Sequence, residues 1–220
     1  SAEGLCLAPG FIDVHSHSDL TILACPTAES KLRQGITTDV YGNCGASAFP
    51  ISQLNEKESQ EDLHSIGLQL TWKDIVEYRK CFQQAQSAVN VVTLVGHTTI
   101  RSSVMGYEDR PPTDDELRQM NLEVEKALDH GASGLSSGLQ YPPGRFADTE
   151  EVITLAATAA RRGGIYTTHM RCEGNQLIES IEESIEVARR AEIPMVVSHL
   201  KASGRPNWGK VAHAITQIEI

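Results

Sequence analysis

The sequence lacks any run of 18 consecutive apolar residues, so no segment reads as a membrane-spanning helix. Its start, Ser1-Ala2-Glu3-Gly4, lacks the basic-then-apolar order of a secretory signal. It lacks a basic stripe. The net charge is −10, and the pairs Arg161-Arg162 and Arg189-Arg190 each fall inside a helical pattern, which argues against a nucleic-acid partner. No CxxC is present, and the five cysteines (6, 25, 44, 81, 172) form an odd, scattered set. That excludes a disulfide framework or a zinc finger and makes a reducing, cytoplasmic setting the expectation. Each thiol is then expected in the core unless its neighbours argue otherwise. No GxGxxG or GxxxxGK[ST] opens a helix, which disfavours a nucleotide-binding doubly wound sheet.

What remains is an ordinary globular balance: 220 residues, 40% hydrophobic and 22% charged, enough to bury a core without staples. Strand-like runs are expected over 11–15, 36–41, 91–95, 132–139, 164–169 and 194–199, with amphipathic helices between them. Thr113 with Glu116 forms a capping box ahead of the stripe Leu117, Met120, Val124 and Leu128. Asp148 with Glu151 opens the next helix, and Asn175 is expected to cap the one carrying Leu177, Ile181, Ile185 and Ala188. A polar helical stretch, with Thr71 as the expected cap, reads as an insertion over about 52–88. His169 and His199 stand thirty residues apart, the length of one strand-helix-strand unit. The expected architecture is α/β, a TIM-like (β/α) barrel over 11–220. Only about six of eight units are present, because a full barrel needs roughly 250 residues. Val211, Ala214, Ile215 and Ile218 form a final stripe still in need of a partner surface.

Several residues with metal-ligand chemistry fall at strand ends. His15 and His17 close the first expected strand, two apart and therefore on one face. Cys44, His169 and His199 each follow or end a strand of their own. Barrel active sites are built at that rim, and mixed imidazole and thiolate donors favour zinc over magnesium or calcium. Lys201 lies two positions after His199 and is expected on the same face. Arg171 and Glu173 follow His169; they read either as groups that orient the ligand from behind or as a plain ion pair. Tyr141 reads equally as a substrate neighbour or as a loop aromatic covering apolar surface. His97 reads as a structural histidine, and His64, His130 and His213 as surface residues of helices.

The run Ala8-Pro9-Gly10-Phe11-Ile12-Asp13-Val14-His15-Ser16-His17-Ser18-Asp19 resembles the first-strand motif of the amidohydrolase superfamily. Gly42-Asn43-Cys44-Gly45, the stretch from Gly134 to Gly144, Tyr166-Thr167-Thr168-His169-Met170-Arg171 and Ser198-His199-Leu200-Lys201 are similar to the N-acyl-D-amino-acid deacylase (D-aminoacylase) family. That resemblance implies a zinc hydrolase of linear amide bonds, releasing a carboxylate and a free D-amino acid. It implies a tight zinc site at Cys44, His169 and His199, and a weaker second site at His15 and His17. Lys201 would grip the substrate carboxylate, with Tyr141 close by. The family chain is longer. Residues 1–10 would end an N-terminal β-sandwich or linker, and the catalytic aspartate would lie beyond Ile220, leaving this piece inactive alone. Two alternatives stand beside this reading. A cyclic-amide hydrolase of the dihydropyrimidinase or dihydroorotase type would bridge its metals with a carboxylated lysine, against which Cys44 argues. A metal-free scaffold relative would not need all five metal-type residues.

Overall fold

The computed structural model describes residues 3–219. Short parallel strands alternate with helices: β1 Phe11–Asp13, β2 Ile36–Tyr41, β3 Asn90–Thr93, β4 Val95–Gly96, β5 Gly134–Gly138, β6 Ile165–His169 and β7 Met195–Val197. They pair in the orders β1-β2-β3 and β4-β5-β6-β7, all in parallel. The third expected strand is therefore broken at Leu94. Before the break it pairs with β2; after it, with β5. Leu94 N still donates to Tyr41 O (2.9 Å), and Ser133 N to Thr93 O (2.8 Å), so hydrogen bonds join the two sheets across the break. Among the described residues β1 and β7 are edge strands that do not pair with each other.

The helices are α1 Thr21–Ala24, α2 Glu29–Leu32, α3 Glu56–Ser65, α4 Ile75–Ala85, α5 His97–Met105, α6 Asp114–Asp129, α7 Thr149–Ala160, α8 Leu177–Ala191 and α9 Lys210–Ile218. None is long and apolar enough to cross a membrane. The polar stretch 56–86 is two helices, α3 and α4, joined by a loop. Thr71 does not cap: Trp72 is buried there with its Nε1 donating to Ala48 O (2.7 Å), and α4 starts only after it, capped by Asp74. Asn175 does not cap α8 either, because its Oδ1 accepts from Asn207 Nδ2 (3.0 Å).

Strands β5 and β6 are buried almost throughout, as expected of parallel strands covered on both faces. Phe11 and Ile12 on β1 are exposed, and β2 and β3 are only partly buried, so that rule does not extend to the β1-β2-β3 sheet. Helix α7 packs between α6 and α8 and buries Val152, Leu155, Ala156 and Ala159. Ala214 of α9 is buried beside Met170, Leu177 and Ile181, whereas Ile215 and Ile218 stay exposed. Cys6 and Cys25 are exposed, correcting the expectation of core thiols; Cys81 and Cys172 are half-buried. Residues 3–10 hold no strand or helix, and Ser1, Ala2 and Ile220 lie outside the described residues.

The capping box on α6 forms as expected. Thr113 Oγ1 accepts from Glu116 N (3.3 Å), and Thr113 N donates to Glu116 Oε2 (2.7 Å). The Arg110 guanidinium forks onto the same carboxylate at 2.6 and 2.7 Å. Arg110 first, and the Thr113 backbone next, hold the Glu116 carboxyl down at about 2 against an ordinary 4.5. A carboxyl depressed on folding stabilises fully above its unfolded value and loses that contribution as pH falls through the folded one. Relative to Glu116→Gln, the native chain is expected to be more stable by about 1 kcal/mol at neutral pH, the worth of a cap with a partly exposed ion pair. Urea titrations between pH 5 and 2 (about the range set by the two values) check that the advantage fades across that window.

Candidate metal centre

Cys44 sits in the turn after β2. Gly42 (φ +79°), Cys44 (φ +54°) and Gly45 (φ +77°) are all left-handed there, which costs the cysteine strain that its glycine neighbours escape. The turn is pressed onto β5: a Cβ on Gly138 would lie 1.9 Å from the Cys44 carbonyl oxygen. Ser136 Oγ donates to Gly42 O and accepts from Gly45 N (3.0 Å), tying the turn to β5 from beneath.

His169 ends β6, buried, with Nε2 3.0 Å from Gln140 Oε1, the Tyr141 ring edge-on at 4.7 Å, and Nδ1 without a hydrogen-bond partner. His199 lies two residues beyond β7 in a left-handed conformation (φ +36°). His15 and His17 lie on the loop after β1, which ends at Asp13, so strand alternation does not align them. The adjoining Ser16 does: it is buried, and its N donates to Val40 O at 3.1 Å, holding the arm against β2.

The five residues converge. Cys44 Sγ lies 3.4 Å from His15 Nε2 and 3.5 Å from His199 Nε2. The His169 and His199 ring centroids are 4.5 Å apart, and those of His15 and His199 5.0 Å. Two donor triads result, Cys44/His169/His199 and His15/His17/Cys44, each with its ligand atoms within 4.8 Å of one another. The sulfur is common to both.

Glu173 is the hub behind them. Its carboxylate contacts His199 Nδ1 at 2.7 Å (off the angle of a hydrogen bond), His169 Nε2 at 3.7 Å and Lys201 Nζ. Lys201 Nζ also lies 3.1 Å from His199 Nδ1. Arg171, by contrast, is turned away. It forks onto Glu183 and donates to the carbonyls of Arg145 and Ala147, pinning the loop after β5. His97 does not join the centre; it is wholly buried, 2.8 Å from Glu151 Oε1. His64, His130 and His213 are exposed.

Sequence reasoning missed two supports. Gln140 meets His169, and nothing in its spacing marked it. Lys31 Nζ donates to Asp13 Oδ2 (2.6 Å), Ser16 Oγ (3.1 Å) and Asp39 Oδ1 (3.3 Å), anchoring the His15–His17 arm. The signal for it was available, since Asp13 and Asp39 are register partners on adjacent strands.

The electrostatics suit a cation. Burial pushes the His169 imidazole down to about 4; Glu173 opposes this, and His199, Lys201 and His15 add to it, so the ring is neutral at pH 7. Burial and neighbouring imidazoles lower His15 and His17 as well. Burial, and then Glu173, push the Cys44 thiol up to about 11, with Lys201 opposing. Unshielded by a cation, the sulfur keeps its proton; a bound metal reverses that preference. A buried sulfur, several imidazoles and an orphaned His169 Nδ1 are a donor set that fits zinc.

The amidohydrolase family model matches residues 1–214. This chain belongs to the amidohydrolase family. The amidohydrolase chain is 38% identical over 217 residues to a D-aminoacylase of Alcaligenes xylosoxydans xylosoxydans, covering 99% of this chain and 45% of that protein. It is also 38% identical over 218 residues to an N-acyl-D-aspartate deacylase of the same organism, covering 99% and 44%. Its fold superposes with a TM-score of 0.89 on the N-acyl-D-glutamate deacylase of Bordetella bronchiseptica, solved with zinc and a phosphonate inhibitor. The identity there is 36%, over 96% of this chain and 44% of that one. This amidohydrolase chain thus spans less than half the length of these relatives.

Proposed function

We infer that the chain is the metal-holding part of a zinc-dependent hydrolase of linear amide bonds, which converts N-acyl-D-amino acids to a carboxylate and a free D-amino acid. The observation that carries this reading is the convergence of Cys44 Sγ with His169 and His199 around one point, with His15 and His17 sharing the same sulfur. The relatives' activities support it, and so does the position of the donors at the ends of parallel strands, as in a (β/α) barrel.

Zinc held there lowers the pKa of water toward ~7 and polarises a carbonyl oxygen, the two effects that amide hydrolysis needs. The chain's own residues supply the rest. Glu173 lies beside the far nitrogen of His199, whose Nε2 faces Cys44. Lys201 is held over the centre by Glu173, and we assign it to the substrate carboxylate, for which it exchanges that partner. Tyr141 covers His169 and forms part of the cavity wall. Proton transfer to the leaving nitrogen is assigned, on the family resemblance alone, to the aspartate that the resemblance implies outside these residues. His15 and His17 offer the weaker second metal site.

The test is a panel of N-acetyl-D- and N-acetyl-L-amino acids with the full-length protein, before and after chelation. The expected outcome is turnover of D substrates only, lost with the chelator and restored by about one zinc per chain. Cleavage of hydantoins with two metals bound would favour the cyclic-amide reading instead, and a protein that binds no zinc would favour a scaffold.

A further inference from the structure

The cavity that takes in Cys44, His169 and His199 measures about 700 Å³, the size of a small-molecule site. One of its walls is made by the insertion after β2, which the chemistry above leaves idle. Asn55, Glu58, Ser59 and Asp62 line it at spacings of three, four and seven, the signature of one helix face. Asn55 fixes the start of that face: it is 5% exposed, and its Nδ2 donates to Pro50 O (3.1 Å) and Ser102 Oγ (3.3 Å).

The wall is negatively charged and uncompensated. Among the described residues neither Glu58 nor Asp62 has a cationic partner; Glu58 accepts instead from the Tyr107 hydroxyl. Burial, and then Glu58 and Glu61, raise the Asp62 carboxyl above its ordinary value, as expected where no cation shields it. The cationic residue on the lining is Lys201, which is held against Glu173 and His199. Ser47 and, from α5, Thr98, Thr99 and Ser102, all small and neutral, line the cavity as well. His169, only 5% exposed, lines the same cavity at its chemical end.

We propose that the preferred substrate carries a positively charged side chain: an N-acyl derivative of a basic D-amino acid, its α-carboxylate at Lys201 and its cationic tip at Glu58 and Asp62. This deepens the deacylase reading and rests on it. An acidic side chain entering the same space meets two carboxylates of like charge on the exposed helix face that walls the cavity. The site therefore differs in charge preference from the relatives named for aspartate and glutamate substrates.

The experiment measures kcat/KM of the zinc-loaded full-length protein on N-acetyl-D-lysine, N-acetyl-D-methionine and N-acetyl-D-glutamate. Two variants accompany it: Asp62→Asn, whose side chain makes no hydrogen bond among the described residues, and the double variant Glu58→Gln/Asp62→Asn. Lysine is expected to exceed methionine by about tenfold or more, the scale of a charge-assisted hydrogen bond, with glutamate slowest. The lysine-to-methionine ratio is expected to fall in Asp62→Asn and to approach unity in the double variant. A native enzyme that cleaves methionine and lysine equally, or a ratio untouched by both substitutions, overturns the charge assignment and leaves the deacylase reading standing. Failure to cleave any of the three with zinc bound overturns both.

Discussion

Replacing Glu151 with alanine is expected to lower the unfolding free energy by about 3–5 kcal/mol, the cost of stranding a buried charge. Glu151 is 3% exposed, at the start of α7. One carboxylate oxygen accepts from His97 Nε2 at 2.8 Å, and the other accepts from Arg101 Nη1. Arg101 is wholly buried; among the described residues it reaches, apart from Glu151, only the Arg110 carbonyl (2.6 Å), and its Nε has no partner. Burial alone would raise the Glu151 carboxyl, yet His97 and Arg101 hold it below its ordinary range, so it is charged in the fold. Removing it leaves a buried guanidinium with no counter-charge. Chemical denaturation of the full-length variant measures the loss. The paired change Arg101→Met/Glu151→Met is expected to cost much less, because it removes both charges together. A loss below about 1 kcal/mol for the alanine variant would mean that water or another anion reaches Arg101.

The second large effect concerns Cys44. Its sulfur belongs to both donor triads, so Cys44→Ala strips one donor from each. Metal affinity is expected to fall well beyond the ~10–100-fold typical of losing a residue that only supports a ligand. Glu173→Gln is expected to stay inside that range, since it contacts His199 and His169 without completing either triad. His15→Ala spares Cys44, His169 and His199, so tight binding is expected to persist. Competition with a chromogenic chelator ranks the three. A Cys44→Ala protein that holds zinc as tightly as the native one would remove sulfur from the centre and with it the proposed chemistry.

Much of this was legible in the residues themselves. Strand β2 begins and ends where its β-branched run does, after Gly35, and the Thr113/Glu116 box forms as its spacing demands. The metal-type residues gather because parallel strands deliver their C-terminal ends to one side, a consequence of topology that alternating strand and helix patterns already contain. Other features depend on competition that no local pattern records. The break at Leu94, where pairing passes from β2 to β5, has no marker in the apolar run 91–95. Arg171 and Glu173 look alike from His169, two and four residues on, but the path of the loop sends one to Glu183 and the other into the centre. Helix α3 is polar nearly all round, so periodicity gave a helix without saying which face meets the cavity. Thr71 lost its expected role because the indole of Trp72 had first to be buried.

Cys44 and His199 share an unusual backbone: both are non-glycine residues in the left-handed region, a setting in which glycine or asparagine would be more at ease. A laboratory lineage selected for thermal robustness alone would drift toward such residues there, gaining conformational comfort while giving up two donors of the proposed centre. Resting durability and the proposed chemistry therefore draw on the same two torsions in opposite directions.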